Sequence, residues 1–213
     1  MTSKDMFDVA IAESFGDFFQ DNLEIILDRI IKDDTIKEIP VIGNIVSVFK
    51  IGKSISDRVF LRNLMNFLFE IKDIPAEERI KKVAEIDEDE KLKIKTGNFL
   101  ISILSRLESE EKAKFLGHLF KKYVQEETNR KEFLKLTYIV DKILWSELIE
   151  FSQIEKLERS VDSILVDSLI SHGLMTIQEV GSVFGYQGGP INAELNELGV
   201  LLQKQMHEYS QKR

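Results

Sequence analysis

Apolar residues return every three or four positions along most of this chain, and only three prolines are available to interrupt them. A half-buried strand alternates with a period of two, so this spacing commits the chain to helices. Eleven glycines against abundant Leu, Ile, Lys and Glu agree with that reading. Residues 6 to 32 read as a helix on Ile11, Phe15, Phe19, Leu23, Ile26 and Ile30. Pro40 stops a smooth continuation, because it pushes Ile39 away from helical geometry. A second helical stretch runs to about Phe69, bent near Gly52. In DIPAEER, Asp73 lies near a cap, Pro75 in a first turn, and Glu77 and Glu78 at the positive helix end. Thirteen of the nineteen residues from Glu77 to Lys95 are charged with both signs interleaved, as on a solvated helical surface or connector.

Three clearer helices follow. FLISILSRL places Leu100, Ile103, Leu104 and Leu107 on one side. Ser109 can cap a helix carrying Leu116, Leu119, Phe120, Tyr123 and Val124. Asn129 and Glu132 have capping-box spacing before Phe133, Leu136, Val140 and Ile143. Short connections of this kind favour antiparallel neighbours. From residue 152 the texture changes to a helix ending near Gly173, short extended pieces around Met175 and Val183, a tip at Gly188 and Gly189, and a final helix. The expected fold is mainly α: a multi-helix bundle over residues 1–150 and a small α+β module over 151–213.

Composition narrows the chemistry. A chain of 213 residues, 43% hydrophobic, suffices for one large or two small domains with a core. The absence of cysteine removes disulfides, thiol catalysis and thiolate zinc sites, and a cytoplasmic setting is expected. MTSKDMFDVAIAESFGDFF carries acids where a secretory signal carries positive charge, so no targeting segment is expected there. A formal charge of −8 argues against general nucleic-acid binding. That charge is uneven: residues 1–38 hold ten acids and four bases, residues 147–213 ten acids and five bases, and the body between them is slightly basic.

Candidate catalytic motifs fail on their own spacing. Gly52-Lys53-Ser54 resembles the end of a phosphate-binding loop, but its first glycine would fall at Ser47, with bulky Val48 and Phe49 where backbone must approach phosphate. LTYIVD, ending at Asp141, resembles the apolar run before a magnesium-binding acid, yet Phe133, Leu136, Val140 and Ile143 put it on a helix. Asp87 and Asp89 start like a calcium loop, but Lys91 replaces an oxygen ligand and Leu92 the glycine. His118, His172 and His207 have no paired spacing. Ser54, Ser56, Asp57 and Arg58 form a polar turn that reads as a helix cap. No catalytic residue, cofactor or metal is expected.

The uncharged run IPVIGNIVSVF, residues 39–49, needs burial of another kind. As a helix it carries Gly43, Ser47, Lys50 and Ser54 on a small or polar stripe and apolar side chains around the rest. The leading reading is a central helix of the bundle. The alternatives are oligomer packing through the small stripe and membrane insertion by residues 39–54, since a short apolar helix can enter an interface without spanning it.

Two resemblances bear on function. The LxxL…GL pattern at Leu165, Leu169, Gly173 and Leu174, with LxELG at Leu195, Glu197, Leu198 and Gly199, resembles the ends of winged-helix domains. Such a domain implies DNA, but residues 155–172 hold only Lys156 and Arg159 against Glu155, Glu158, Asp162 and Asp167, so a protein contact is the better expectation. The run from Ile39 to Arg79, with LFKKYV and the LxELG ending, is similar to bacterial helical proteins of the abortive-infection alpha type. The positions that match are Ile39, Pro40, Gly43, Asp57, Arg58, Leu198 and Gly199. That resemblance implies a bacterial protein of phage defence or stress. The function expected is a non-enzymatic interaction protein that self-associates or binds a protein partner, through Ile39, Pro40, Gly43, Ser47, Asp57, Arg58, Leu165, Leu169 and Leu198. A membrane-acting effector, membrane-associated when activated, and a DNA-binding regulator are the alternatives.

Overall fold

The computed structural model describes residues 55–71, 73–75, 78, 81, 96–154, 163–177 and 193–211. Among these, seven helices and one two-stranded sheet form, and the chain divides into two compact units between Arg130 and Lys131. The proposed helix over residues 6–32, the stretch 39–54 and nearly all of the charged run 77–95 lie outside the described residues.

The first unit contains α1 (Ile55–Ile71), α2 (Thr96–Leu104) and α3 (Glu110–Val124). Helix α1 buries Phe60, Leu61, Leu64, Phe67, Leu68 and Ile71, a stripe at three- and four-residue intervals that packs along α3. The crossing is close. A Cβ added to Gly117 of α3 would lie 2.8 Å from the Phe67 carbonyl and 2.6 Å from Cβ of Glu70, so only glycine fits. Phe67 and Phe120 meet there with ring centroids 5.6 Å apart and a tilt of 57°. Leu100, Ile103, Leu104 and Leu107 are all buried, as their spacing predicts. Asn63, fully buried on α1, donates its amide to the carbonyls of Leu104 at 3.0 Å and Leu107 at 2.8 Å. This side chain satisfies the Leu104 carbonyl at the end of α2 and the Leu107 carbonyl just beyond the turn that follows it.

Helix α3 starts where its cap predicts: the Ser109 hydroxyl accepts from the Lys112 N–H at 3.2 Å. Glu110 and Glu111 lie at the positive end, Lys121 and Lys122 at the negative end. Ser109→Ala is expected to cost about 1 kcal/mol, read as a lower urea midpoint at unchanged m-value. The other end closes with a non-glycine residue in left-handed conformation. Glu126 has φ 61°; its N–H donates to the Tyr123 carbonyl at 3.1 Å and that of Glu127 to the Lys122 carbonyl at 2.9 Å. This is the Schellman pattern, in which glycine normally takes the left-handed position. Glu126→Gly is therefore expected to raise stability by about 1 kcal/mol, with a matching rise in midpoint.

The second unit contains α4 (Arg130–Lys142), α5 (Trp145–Gln153), α6 (Ser163–Ser171), β1 (Met175–Ile177), β2 (Ala193–Leu195) and α7 (Glu197–Gln211). Phe133, Leu136, Val140 and Ile143 are buried, and α4 begins immediately after Asn129. Helix α5 packs on α7, where the rings of Trp145 and Tyr209 meet edge to face at 6.3 Å. Gln203 of α7 donates its amide to the carbonyls of Phe151 at 3.3 Å and Ile154 at 2.7 Å, closing the end of α5. The contact division thus places α4 and α5 with the C-terminal elements.

Helix α6 ends on Gly173 at φ 72°, with the Leu174 N–H donating to the Leu169 carbonyl at 2.9 Å. β1 then pairs antiparallel with β2 in the register Met175 to Leu195, Thr176 to Glu194 and Ile177 to Ala193. Among the described residues the strand that pairs with β1 is at 193–195; Val183, where sequence reasoning puts an extended piece, is outside the described residues. Ala-Glu-Leu has little β propensity, and its strand form comes from the partner across the ladder. Asn196 binds the module together. Its Oδ1 accepts from the Gly199 N–H at 3.0 Å, its Nδ2 donates to the Gly173 carbonyl at 2.8 Å, and its own N–H donates to the Leu174 carbonyl at 3.1 Å. One asparagine caps α7 and fixes it to the end of α6 and the start of β1.

Candidate functional site

The sequence-derived residues separate into three groups. Ile39, Pro40, Gly43 and Ser47 lie outside the described residues, and Asp57 and Arg58 lie in the first turn of α1. Leu165 and Leu169 are on the buried face of α6, at 2% and 0% exposure. Leu198 is half-buried at the start of α7. The same periodicity that made these leucines conspicuous is the signature of a core stripe.

The surface residues that stand out are different ones. Among the described residues the large exposed hydrophobics are Tyr138, Leu144, Ile164, Ile177 and Val200, and all five belong to the second unit. Ile164 is 70% exposed. Charge is distributed around them with order. On α4, Lys131, Lys135, Tyr138 and Lys142 are all exposed and fall at i, i+4, i+7 and i+11, a single face of the helix. Lys142 leans over the Tyr138 ring at 5.8 Å and pairs with Asp141 at 3.0 Å. Lys131 and Lys135 have no ion-pair partner among the described residues. On the C-terminal elements the exposed charges near apolar side chains are of both signs: Asp167 three residues after Ile164, Glu197 three before Val200, Lys204 four after it, and Glu194 on β2. Sequence reasoning missed this α4 face because it read only the helix's apolar side; the lysine spacing was the available signal.

Of the enzyme-like motifs, Gly52-Lys53-Ser54 and the run from Asp87 to Leu92 lie outside the described residues. LTYIVD is helical, with Asp141 tied to its neighbour Lys142, and the only sheet among the described residues is two-stranded and antiparallel. His118 is buried and stacks on Phe115 at 5.9 Å, the His172 Nδ1 lies 2.7 Å from the Ser168 carbonyl, and the His207 Nε2 lies 2.7 Å from the Gln211 amide. Among the described residues, no group of three His, Asp or Glu side chains is placed to hold a metal ion. No helix among them is long and apolar enough to cross a membrane. The chain is a mainly helical protein with a small antiparallel sheet, and its described surface concentrates exposed apolar residues in one unit. Comparison with known proteins finds no matching family model, no matching curated protein and no matching solved structure.

Proposed function

We propose that this protein is a non-enzymatic interaction protein that associates with further copies of itself through its second unit. The observation that carries this reading is the placement of Tyr138, Leu144, Ile164, Ile177 and Val200 on the surface of that unit. Burial of apolar area contributes roughly 25 cal/mol per Å², so several large side chains covered together supply a useful share of an association energy. The order α6, β1, β2, α7 also supports the winged-helix-like reading of the C-terminal module. Its exposed side chains, Ile164 and Asp167 on α6 among them, suit a protein surface better than phosphates. The resemblance to abortive-infection proteins makes phage defence or stress the biological setting. The experiment is size-exclusion chromatography with light scattering at micromolar concentration. A mass above the 24.6 kDa of one chain is expected, and a constant 24.6 kDa at every concentration contradicts the proposal.

A second reading, action on membranes, rests on the uncharged run at residues 39–49. It expects dye release from anionic liposomes that Val46→Asp abolishes. Intact liposomes with both proteins, in triggered cell extracts as well as with purified chain, would remove it.

A further inference from the structure

We propose that Arg130 anchors a binding site for a small oxyanion, a phosphate or a carboxylate, with the Thr128 hydroxyl as a further donor. The guanidinium carries the argument. Its Nε and Nη2 are both shut off from solvent, and among the described residues nothing accepts a hydrogen bond from either. These two atoms form one edge of the planar group. Their N–H bonds point the same way along that edge, the geometry that takes two oxygens of a single carboxylate or phosphate in parallel. The shielded donors are therefore the pair that binds an oxyanion, and not two unrelated nitrogens. Arginine cannot relieve its burial by giving up a proton, so an enclosed edge keeps its charge and is stabilised by whatever anion meets it. Water could accept from these donors, but it brings no charge to offset the guanidinium. Thr128 is an independent observation: it is 5% exposed, and its Oγ1 is also without a hydrogen-bond partner among the described residues. Two trans peptides keep its Cα within about 7.6 Å of that of Arg130, close enough for a hydroxyl to reach an ion held on the guanidinium edge. Glu127, the carboxylate beside Thr128, is engaged by Lys122 at 2.6 Å. Thr128 and Arg130 both fall on the first unit's side of the division, so the site belongs to one compact unit and stands apart from the self-association reading.

The test follows the Arg130 Nε–H resonance of the full-length protein by proton–nitrogen NMR. Sodium phosphate is added in one series and sodium acetate in another, each replacing chloride at constant ionic strength. A saturable shift at millimolar anion is expected, and the series that saturates first tells a phosphate site from a carboxylate site. This titration needs no variant, so it decides the proposal even if a substitution prevents folding. Affinities of the variants come from the rise in thermal midpoint with added anion, measured by scanning calorimetry. Arg130→Lys keeps the charge but loses the two-pronged edge, and is expected to bind the anion at least about tenfold more weakly. Thr128→Val keeps the shape and loses the hydroxyl, and should weaken binding roughly fivefold, the effect of one neutral hydrogen bond. A resonance that neither anion moves overturns the site, because its edge is then closed to any ion from outside. So does a midpoint rise in Arg130→Lys equal to that of wild type, which would place the binding on other cations. Unchanged affinity in Thr128→Val overturns the part given to its hydroxyl.

Discussion

Asn63→Asp is expected to destabilise the first unit by about 4 kcal/mol, although the two side chains are almost the same shape. The amide donates to two carbonyls, Leu104 and Leu107, from a position with no exposure. A carboxylate has no hydrogen to offer, and each buried carbonyl left unsatisfied costs roughly 1–3 kcal/mol. The new negative charge would also face two oxygens of like partial charge in a poorly solvated place, which adds to the penalty. Urea denaturation followed by far-ultraviolet circular dichroism measures the effect. Asn63→Leu separates its two sources, because it removes the donors without adding charge and should be the milder change. Equal stability of Asn63→Asp and wild type would mean that the amide does not hold the end of α2.

Gly199→Ala is expected to cost the second unit about 3 kcal/mol or more, the upper end of what overpacking does. A Cβ at this position would collide with the Leu174 carbonyl and lie 3.1 Å from the Leu195 side chain. The carbonyl cannot simply move aside. It accepts from the Asn196 N–H, and Leu174 also closes the end of α6, so the backbone there is held from two directions. The single tryptophan of the chain, Trp145, packs against Tyr209 of α7 and reports this unit directly. Tryptophan fluorescence should show an earlier unfolding transition in the variant. An unchanged transition would mean that α7 sits farther from Leu174 than the geometry has it.

Among the described residues, helix existence was legible in the sequence where an apolar stripe had a start signal. Ser109 and the stripe from Leu116 to Val124 defined α3, and Leu100 to Leu107 defined the buried side of α2 and its exit. What could not be read was anything decided by a distant partner. Asn63 and Gln203 look like ordinary polar residues on helices, and their roles exist only because another helix ends beside them. Gly117 has the same history: in sequence it is a weak point in a helix, and in the fold it is the site of a close crossing. Likewise β2 follows from its pairing with β1, since its three residues carry no strand pattern. The exposed apolar residues of the second unit were hidden for a related reason. Leu165 and Leu169 attracted notice as a motif, but a motif of spaced leucines is what a core requires, and the surface side chains Ile164 and Val200 lie one and two positions from such leucines without any pattern of their own. The lysines of α4 were visible as charges, and only the exposure of Tyr138 between them turns the face into a candidate contact.

Sedimentation equilibrium of the full chain and of Ile164→Asp/Val200→Asp, over a concentration series from low micromolar upward, tests the central claim most directly. Both substituted positions are exposed, at 70% and 54%, so the fold should withstand the change and tryptophan fluorescence can verify it. Wild type is expected to show a mass that rises with concentration above 24.6 kDa, while the variant stays at the mass of one chain. Identical mass curves for the two proteins, whether both monomeric or both associated, would contradict the assignment of self-association to the exposed apolar residues of the second unit.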